Sequence, residues 1–101
     1  MSNARITLVN PNSLTTVTEA IARAVAPFQR LPLTFRCLTS TGGPAGIQTQ
    51  AEADASIAPM AQLFLQEAAA TDAFIVACFS DPGLHGLRDL VAAPVLGIGE
   101  C

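Results

Sequence analysis

The chain has no lysine, no tryptophan and no tyrosine, a single histidine, and charged residues at only 13% of its positions. Each scarcity excludes something. Nucleic-acid binding needs clustered positive charge to displace counterions. Here the five basic residues, Arg5, Arg23, Arg30, Arg36 and Arg88, are scattered, and the net charge is −3. A P-loop cannot be built without its lysine. A receiver domain needs a lysine as well, and acidic residues after the first strand. Flavodoxin-like flavin sites are usually flanked by Trp or Tyr. One histidine without Cys/His clustering argues against a zinc site. The three cysteines, Cys37, Cys78 and Cys101, are odd in number, widely spaced and without a CxxC pair, so they do not form a disulfide framework. No apolar run is long enough to span a bilayer. Met1-Ser2-Asn3-Ala4-Arg5 lacks the layout of a signal peptide, so the expected location is cytoplasmic. No metal or cofactor is expected, and no nucleic-acid or membrane partner. Any chemistry must come from single thiols, carboxylates, amides and backbone groups.

What is present is apolar. Of 101 residues 50% are hydrophobic, enough for one domain with a buried core. The mean hydropathy of +0.45 is high for so small a chain. Part of the apolar surface is therefore expected to face a partner, another domain or a second copy.

Four strands and three helices alternate. Ile6-Thr7-Leu8-Val9 is β-rich and stops at Asn10-Pro11-Asn12-Ser13. Asn12 or Ser13 is placed to cap a helix whose apolar face carries Leu14, Val17, Ile21, Ala24, Val25 and Phe28. Leu33 to Leu38 reads as a second strand, with Cys37 in the core, and Gly42-Gly43-Pro44 as a loop. A helical period returns from about Gln50 to Ala70, with Ile57, Met60, Ala61, Phe64, Leu65 and Ala68 on one face. Pro59 marks a kink or a fresh start there. Asp72 to Cys78 is continuous and apolar, as in a strand buried on both faces of a parallel sheet. Asp81-Pro82 looks like a cap followed by the first residue of a short helix lined by Leu84, Leu87, Leu90 and Val91. Pro94 to Ile98 is the fourth strand. This order predicts an α/β fold: three α/β/α layers around a four-stranded parallel sheet.

In such sheets ligands sit outside the carboxyl ends of the strands. Three loop motifs fall there: Asn10-Pro11-Asn12-Ser13, Gly42-Gly43-Pro44, and Cys78-Phe79-Ser80-Asp81-Pro82. The first strand is not followed by GxGxxG, and Gly97-Ile98-Gly99 alone is a weak dinucleotide signal. A phosphatase-type loop needs an arginine soon after its cysteine, whereas Arg88 comes ten residues after Cys78. Cys78, before a helix N-terminus, is where free N–H groups would favour a thiolate, with Asp81 opposing. From position alone it is either a reactive thiol or a small core hydrophobe. Asn12 and Ser13 are either ligand contacts or a plain cap, and Gly43-Pro44 either lets backbone approach a ligand closely or is a turn. His85 is expected to be exposed, and Glu100 and Cys101 to fray.

Together the motifs NPNS (10–13), Gly43-Pro44 with Ile47, ACFSDPGL (77–84) and PVLGIGE (94–100) resemble the aspartate/glutamate racemase superfamily. They are most similar to its hydantoin and allantoin racemase branch. The resemblance runs in order along nearly the whole chain. It implies one half of a two-domain fold with the active site in the cleft between the halves, each supplying a cysteine. One thiolate would remove the proton next to a carbonyl, and the opposite thiol would return one to the other face, without a cofactor. It implies that Cys78 is catalytic and that Asn12, Ser13, Pro44, Phe79 and Ser80 contact a hydantoin, allantoin or related amino-acid derivative. Residues 1–101 would then be an amino-terminal racemase-like domain. The chain stops where the family's second half would begin, and Cys101 does not match the opposing cysteine. A truncated product, a vestigial half and a pair of copies sharing a cleft are the three explanations. Decarboxylases on the same fold use one cysteine as proton donor, but the NPNS and CFSDPGL motifs favour the racemase branch. The alternative from another class is a non-catalytic α/β module that binds a small anion or a partner domain.

Overall fold

Four short apolar segments bounded by turn residues such as Pro11, Pro32, Asp72 and Pro94 form the strands. They are β1 (Ala4–Asn10), β2 (Leu33–Thr39), β3 (Ala73–Val76) and β4 (Val95–Gly97). The structure, a computed structural model, describes residues 4–29 and 32–100. Arg30 and Cys101 lie outside the described residues, as does most of the amino-terminal segment read above. The strands form one parallel sheet in the order β2-β1-β3-β4. Between them run α1 (Thr15–Val25), α2 (Gln50–Glu67) and α3 (Leu84–Leu90). Short 3-10 turns, Ala26–Phe28 and Ala68–Ala70, follow α1 and α2.

Side chains alternate between the two faces of a strand, so the register sorts them. Val9 lies beside Val76, and Phe74 beside Val95. These four form one core with Met60 and Phe64 of α2 and Leu84 and Leu87 of α3. Phe64 stacks on Phe74, with ring centroids 4.1 Å apart. Truncating either ring to alanine would cost about 3–5 kcal/mol. On the other face, Thr18 of α1 bonds to Asn10 of β1 and Thr39 of β2. Thus α1 covers one face and α2 and α3 the other, giving the three layers expected. The chain steps from β1 to β2 in one direction and on to β3 and β4 in the other. A constant hand of crossover then requires helices on opposite faces.

Several local expectations change. Pro59 neither ends nor restarts α2, which runs unbroken from Gln50 to Glu67. The carbonyl that loses its partner belongs to Ala55, which is exposed, so water can serve it. Leu65, Phe28, Leu14 and Leu90 are 58%, 51%, 44% and 44% exposed, so they stand at or beyond the edge of their apolar faces. β3 is not buried on both faces. Phe74 and Val76 are fully buried, but Ala73 and Ile75 are half-buried, because α1 packs over β1 and β2 and leaves that side of β3 partly open. Cys37, on the α1 face beside Leu8, is half-buried rather than core. β3 ends at Val76 and not at Cys78.

Candidate functional site

The strand order reverses between β1 and β3, and in open parallel sheets that point leaves a crevice beyond the carboxyl ends. Two loops frame it here: 11–14 after β1 and 77–83 after β3. The pairing continues past β3, since the Ala77 N–H donates to the Val9 carbonyl at 2.9 Å. Cys78 therefore opens its loop beside the point where the first loop leaves β1. Its side chain is half-buried, and Sγ lies 3.3 Å from the Ser80 hydroxyl.

The 78–82 loop is held from behind. The Asp81 N–H bonds to the Cys78 carbonyl at 3.0 Å, closing a turn. Asp81 has a left-handed backbone, φ 47°, which aspartate tolerates better than most residues. Its carboxylate accepts the Gly99 N–H at 2.9 Å. A Cβ on Gly99 would stand 2.1 Å from the Phe79 carbonyl oxygen, so only glycine lets the turn after β4 sit against this loop. Asp81 is thus a strap between two loops and not the expected helix cap. Gly83, with φ 68°, occupies the cap position and α3 starts at Leu84. Glu100 joins the same turn, paired with Arg88, whose bond holds the Glu100 carboxyl below its ordinary range.

The first loop is also fixed. Neither Asn12 nor Ser13 caps α1; the cap position is Leu14, with no side-chain bond. Asn12 Oδ1 instead accepts the Leu14 N–H at 3.0 Å, an Asx turn before the helix. The Ser13 N–H donates to the Pro44 carbonyl at 2.9 Å. A Cβ on Gly43 would lie 2.3 Å from the Pro11 carbonyl oxygen. Hence the 42–44 loop lies directly against the 11–13 loop, and the space that Gly43 leaves is filled by the backbone of that loop.

The amino end of α2 completes the region. Thr49 and Glu52 form a reciprocal capping box there. Bonds from the Gln48 and Thr49 N–H groups hold the Glu52 carboxyl below its ordinary range. A cavity of about 180 Å³ lies between this end and the Cys78 loop, lined by Ile47, Gln48, Thr49, Gln50, Ala53 and Ser80. A larger groove of about 260 Å³ runs from Thr39–Gly42 to α2 and contains no candidate residue.

The candidate residues therefore meet in two directly bonded pairs, Cys78 with Ser80 and Ser13 with Pro44, on loops leaving neighbouring strands. Asn12 sits on the first of these loops, half-buried. Phe79 is 83% exposed. His85 is exposed, as expected. Among the described residues, no three His, Cys, Asp or Glu side chains are grouped to hold a metal, and no helix is long and apolar enough to cross a membrane. Sequence reasoning missed three contributors. The α2 cap had a legible signal, Thr49-x-x-Glu52. Asn10 and the Asp81 strap had none, because the first depends on which face of β1 meets α1 and the second bonds a backbone N–H eighteen residues away.

Residues 6–101 match the family model described as Asp/Glu/Hydantoin racemase. The chain is 34% identical over 94 residues to a hydantoin racemase of Rhizobium meliloti, covering 92% of this chain and 39% of that protein. It is 32% identical over 97 residues to a hydantoin racemase of Pseudomonas sp. (strain NS671), covering 95% and 39%. The structure superposes on an allantoin racemase from Klebsiella pneumoniae with a TM-score of 0.91 at 25% identity, covering 97% of this chain and 40% of that one. The chain thus spans about two-fifths of the length of the relatives it matches.

Proposed function

Because the chain belongs to the Asp/Glu/hydantoin racemase family, we propose that it forms one wall of a racemase active site in which Cys78 is the proton-transferring thiol. The observation that carries this reading is the place of that sulfur: half-buried, at the reversal point of the strand order, on a loop strapped from behind. A core thiol would sit under a helix and have no reason to open a turn at a strand end.

The substrate class is a 5-substituted hydantoin, allantoin or a related amino-acid derivative. As thiolate, Cys78 takes the proton from the stereogenic carbon, forming an S–H bond. The C–H electron pair moves into the adjacent carbonyl to give an enolate. N–H donors aimed at that oxygen stabilise the developing charge, and the Asn12 amide and the backbone of the 78–80 turn are the groups assigned to this. Reprotonation on the same face restores the starting enantiomer; an acid on the opposite face inverts it. All of this is proton transfer, so the reading calls for no cofactor.

The opposite acid belongs to a second α/β unit, either a further domain or another copy of the chain. The exposed side chain of Phe79 supports this, as do Leu14 and Leu96, 44% and 45% exposed. Even one wall can be tested. In D₂O the chain should replace the hydrogen at the stereogenic carbon of a 5-substituted hydantoin with deuterium, and Cys78→Ser should reduce the rate to that of buffer. Equal exchange by the two proteins would remove Cys78 from the mechanism. Accelerated exchange by neither would favour the non-catalytic module.

A further inference from the structure

Asn10 ends β1 with only 1% of its surface exposed, yet it is a polar residue next to the site. A buried amide must be satisfied, and this one is. The two hydrogens of its Nδ2 face three acceptors, Asn12 Oδ1 at 2.8 Å, the Leu14 carbonyl at 3.1 Å and Thr18 Oγ1 at 3.1 Å, the two longer contacts sharing one hydrogen. Its Oδ1 accepts the Asn12 N–H at 3.1 Å. A backbone carbonyl can only accept and a backbone N–H can only donate, so the amide has one workable orientation.

That orientation dictates the next. Asn12 Oδ1 receives both Asn10 Nδ2 and the Leu14 N–H, which occupy its two lone pairs. Flipping the Asn12 amide would set donors against donors. Asn12 Nδ2 therefore remains, and among the described residues it has no acceptor. The lock extends through Thr18 Oγ1, 2.6 Å from Thr39 Oγ1, to the end of β2.

We infer that Asn10 is a positioning residue that fixes Asn12 as a donor-only group, committing that place at the exit of β1 to an acceptor oxygen of the ligand. This rests on the racemase reading, in which that oxygen belongs to the carbonyl that becomes the enolate. An acceptor there would be repelled by the enolate's charge; two N–H groups held without reorganisation stabilise it. A carboxylate in place of Asn10 could not donate to Asn12 Oδ1, leaving that amide held by the Leu14 N–H alone.

Two measurements on the 101-residue chain test this separately from the function. The first needs no ligand. In isotope-labelled protein, the Asn10 side-chain NH₂ protons exchange with water at least about tenfold more slowly than those of Asn12, because only the former are bonded and buried. Equal or reversed rates overturn the inference, whatever the protein binds. The second compares a 5-substituted hydantoin with its thioxo analogue, in which sulfur, a weak acceptor, replaces the oxygen next to the stereocentre. The wild-type chain should bind the oxygen compound about tenfold more tightly. Asn10→Asp should bind both within about twofold of each other. A preference retained in Asn10→Asp, or absent from the wild type, overturns the positioning role. Binding of neither compound by the wild type overturns the racemase reading and the ligand assignment together, and the exchange rates then decide the geometry alone. They also decide it should Asn10→Asp not fold.

Discussion

Replacing Gly43 with alanine is the sharpest probe of how the site loops are held together. The added Cβ would stand 2.3 Å from the Pro11 carbonyl oxygen and 3.1 Å from that of Ser40. A comfortable carbon–oxygen contact is about 3.3 Å. One loop must therefore retreat by about 1 Å, and neither neighbour is a flexible side-chain tip that can swing away. The retreat also stretches the Ser13–Pro44 bond, now 2.9 Å. Overpacking of this kind costs about 1–3 kcal/mol. In a chain of this size each kcal/mol lowers Tm by about 4–8 °C. Thermal unfolding followed by circular dichroism should thus show Gly43→Ala melting roughly 4–24 °C below the parent. Gly46→Ala is the control, because its Cβ would meet nothing within 4 Å. If Gly43→Ala melts within a degree or so of Gly46→Ala, the close docking of these loops is wrong.

Other consequences follow from the same geometry. Thr49→Ala removes one side of the α2 capping box and should cost about 1 kcal/mol by denaturant titration; an unchanged midpoint would mean that the box does not hold this helix end. Asp81→Ala releases the Gly99 N–H and should cost about 1 kcal/mol, with faster hydrogen exchange at Gly99; unaltered exchange there would deny the strap. The carboxyls of Asp72, Glu52 and Glu100 are held below their ordinary values of 3.8, 4.5 and 4.5, first by bonds from Arg5, the Gln48 N–H and Arg88 respectively. A depressed carboxyl stabilises the fold when ionised: its contribution is complete above the ordinary value and is lost as pH falls through the folded one. Tm should be nearly flat down to about pH 5 and fall below it, and the variant Glu52→Gln/Asp72→Asn/Glu100→Gln should flatten that fall. A decline starting above about pH 6 would contradict this assignment.

The layers were legible because each element announced itself by period. Phe74 and Val76 alternate as a strand does, while Met60 and Phe64 recur as a helix does, and the two sets meet in one core. What failed was local and set by tertiary partners. Asp81-Pro82 has the composition of a helix start, yet the Asp81 carboxylate finds a stronger use on Gly99, eighteen residues away. Asn12 looked like a cap because an Asx turn and an N-cap use the same side chain on nearby N–H groups. Ile75 looked fully buried because an apolar run records strand character but not how far one helix reaches across a sheet. In the candidate site, the carboxyl-end loops could be named from strand boundaries alone. The Asn10 network could not, since it depends on which face of β1 meets α1.

Whether the Cys78 sulfur is open to a ligand is read by timing alkylation of the two described cysteines in a Cys101→Ser background. Iodoacetamide consumes thiolate, and burial pushes the Cys37 thiol up, away from its reactive form. Mass spectrometry should find Cys78 modified first, and a 5-substituted hydantoin should slow its modification while leaving Cys37 unchanged. Modification of Cys37 first, or a Cys78 rate indifferent to the hydantoin, would contradict the account.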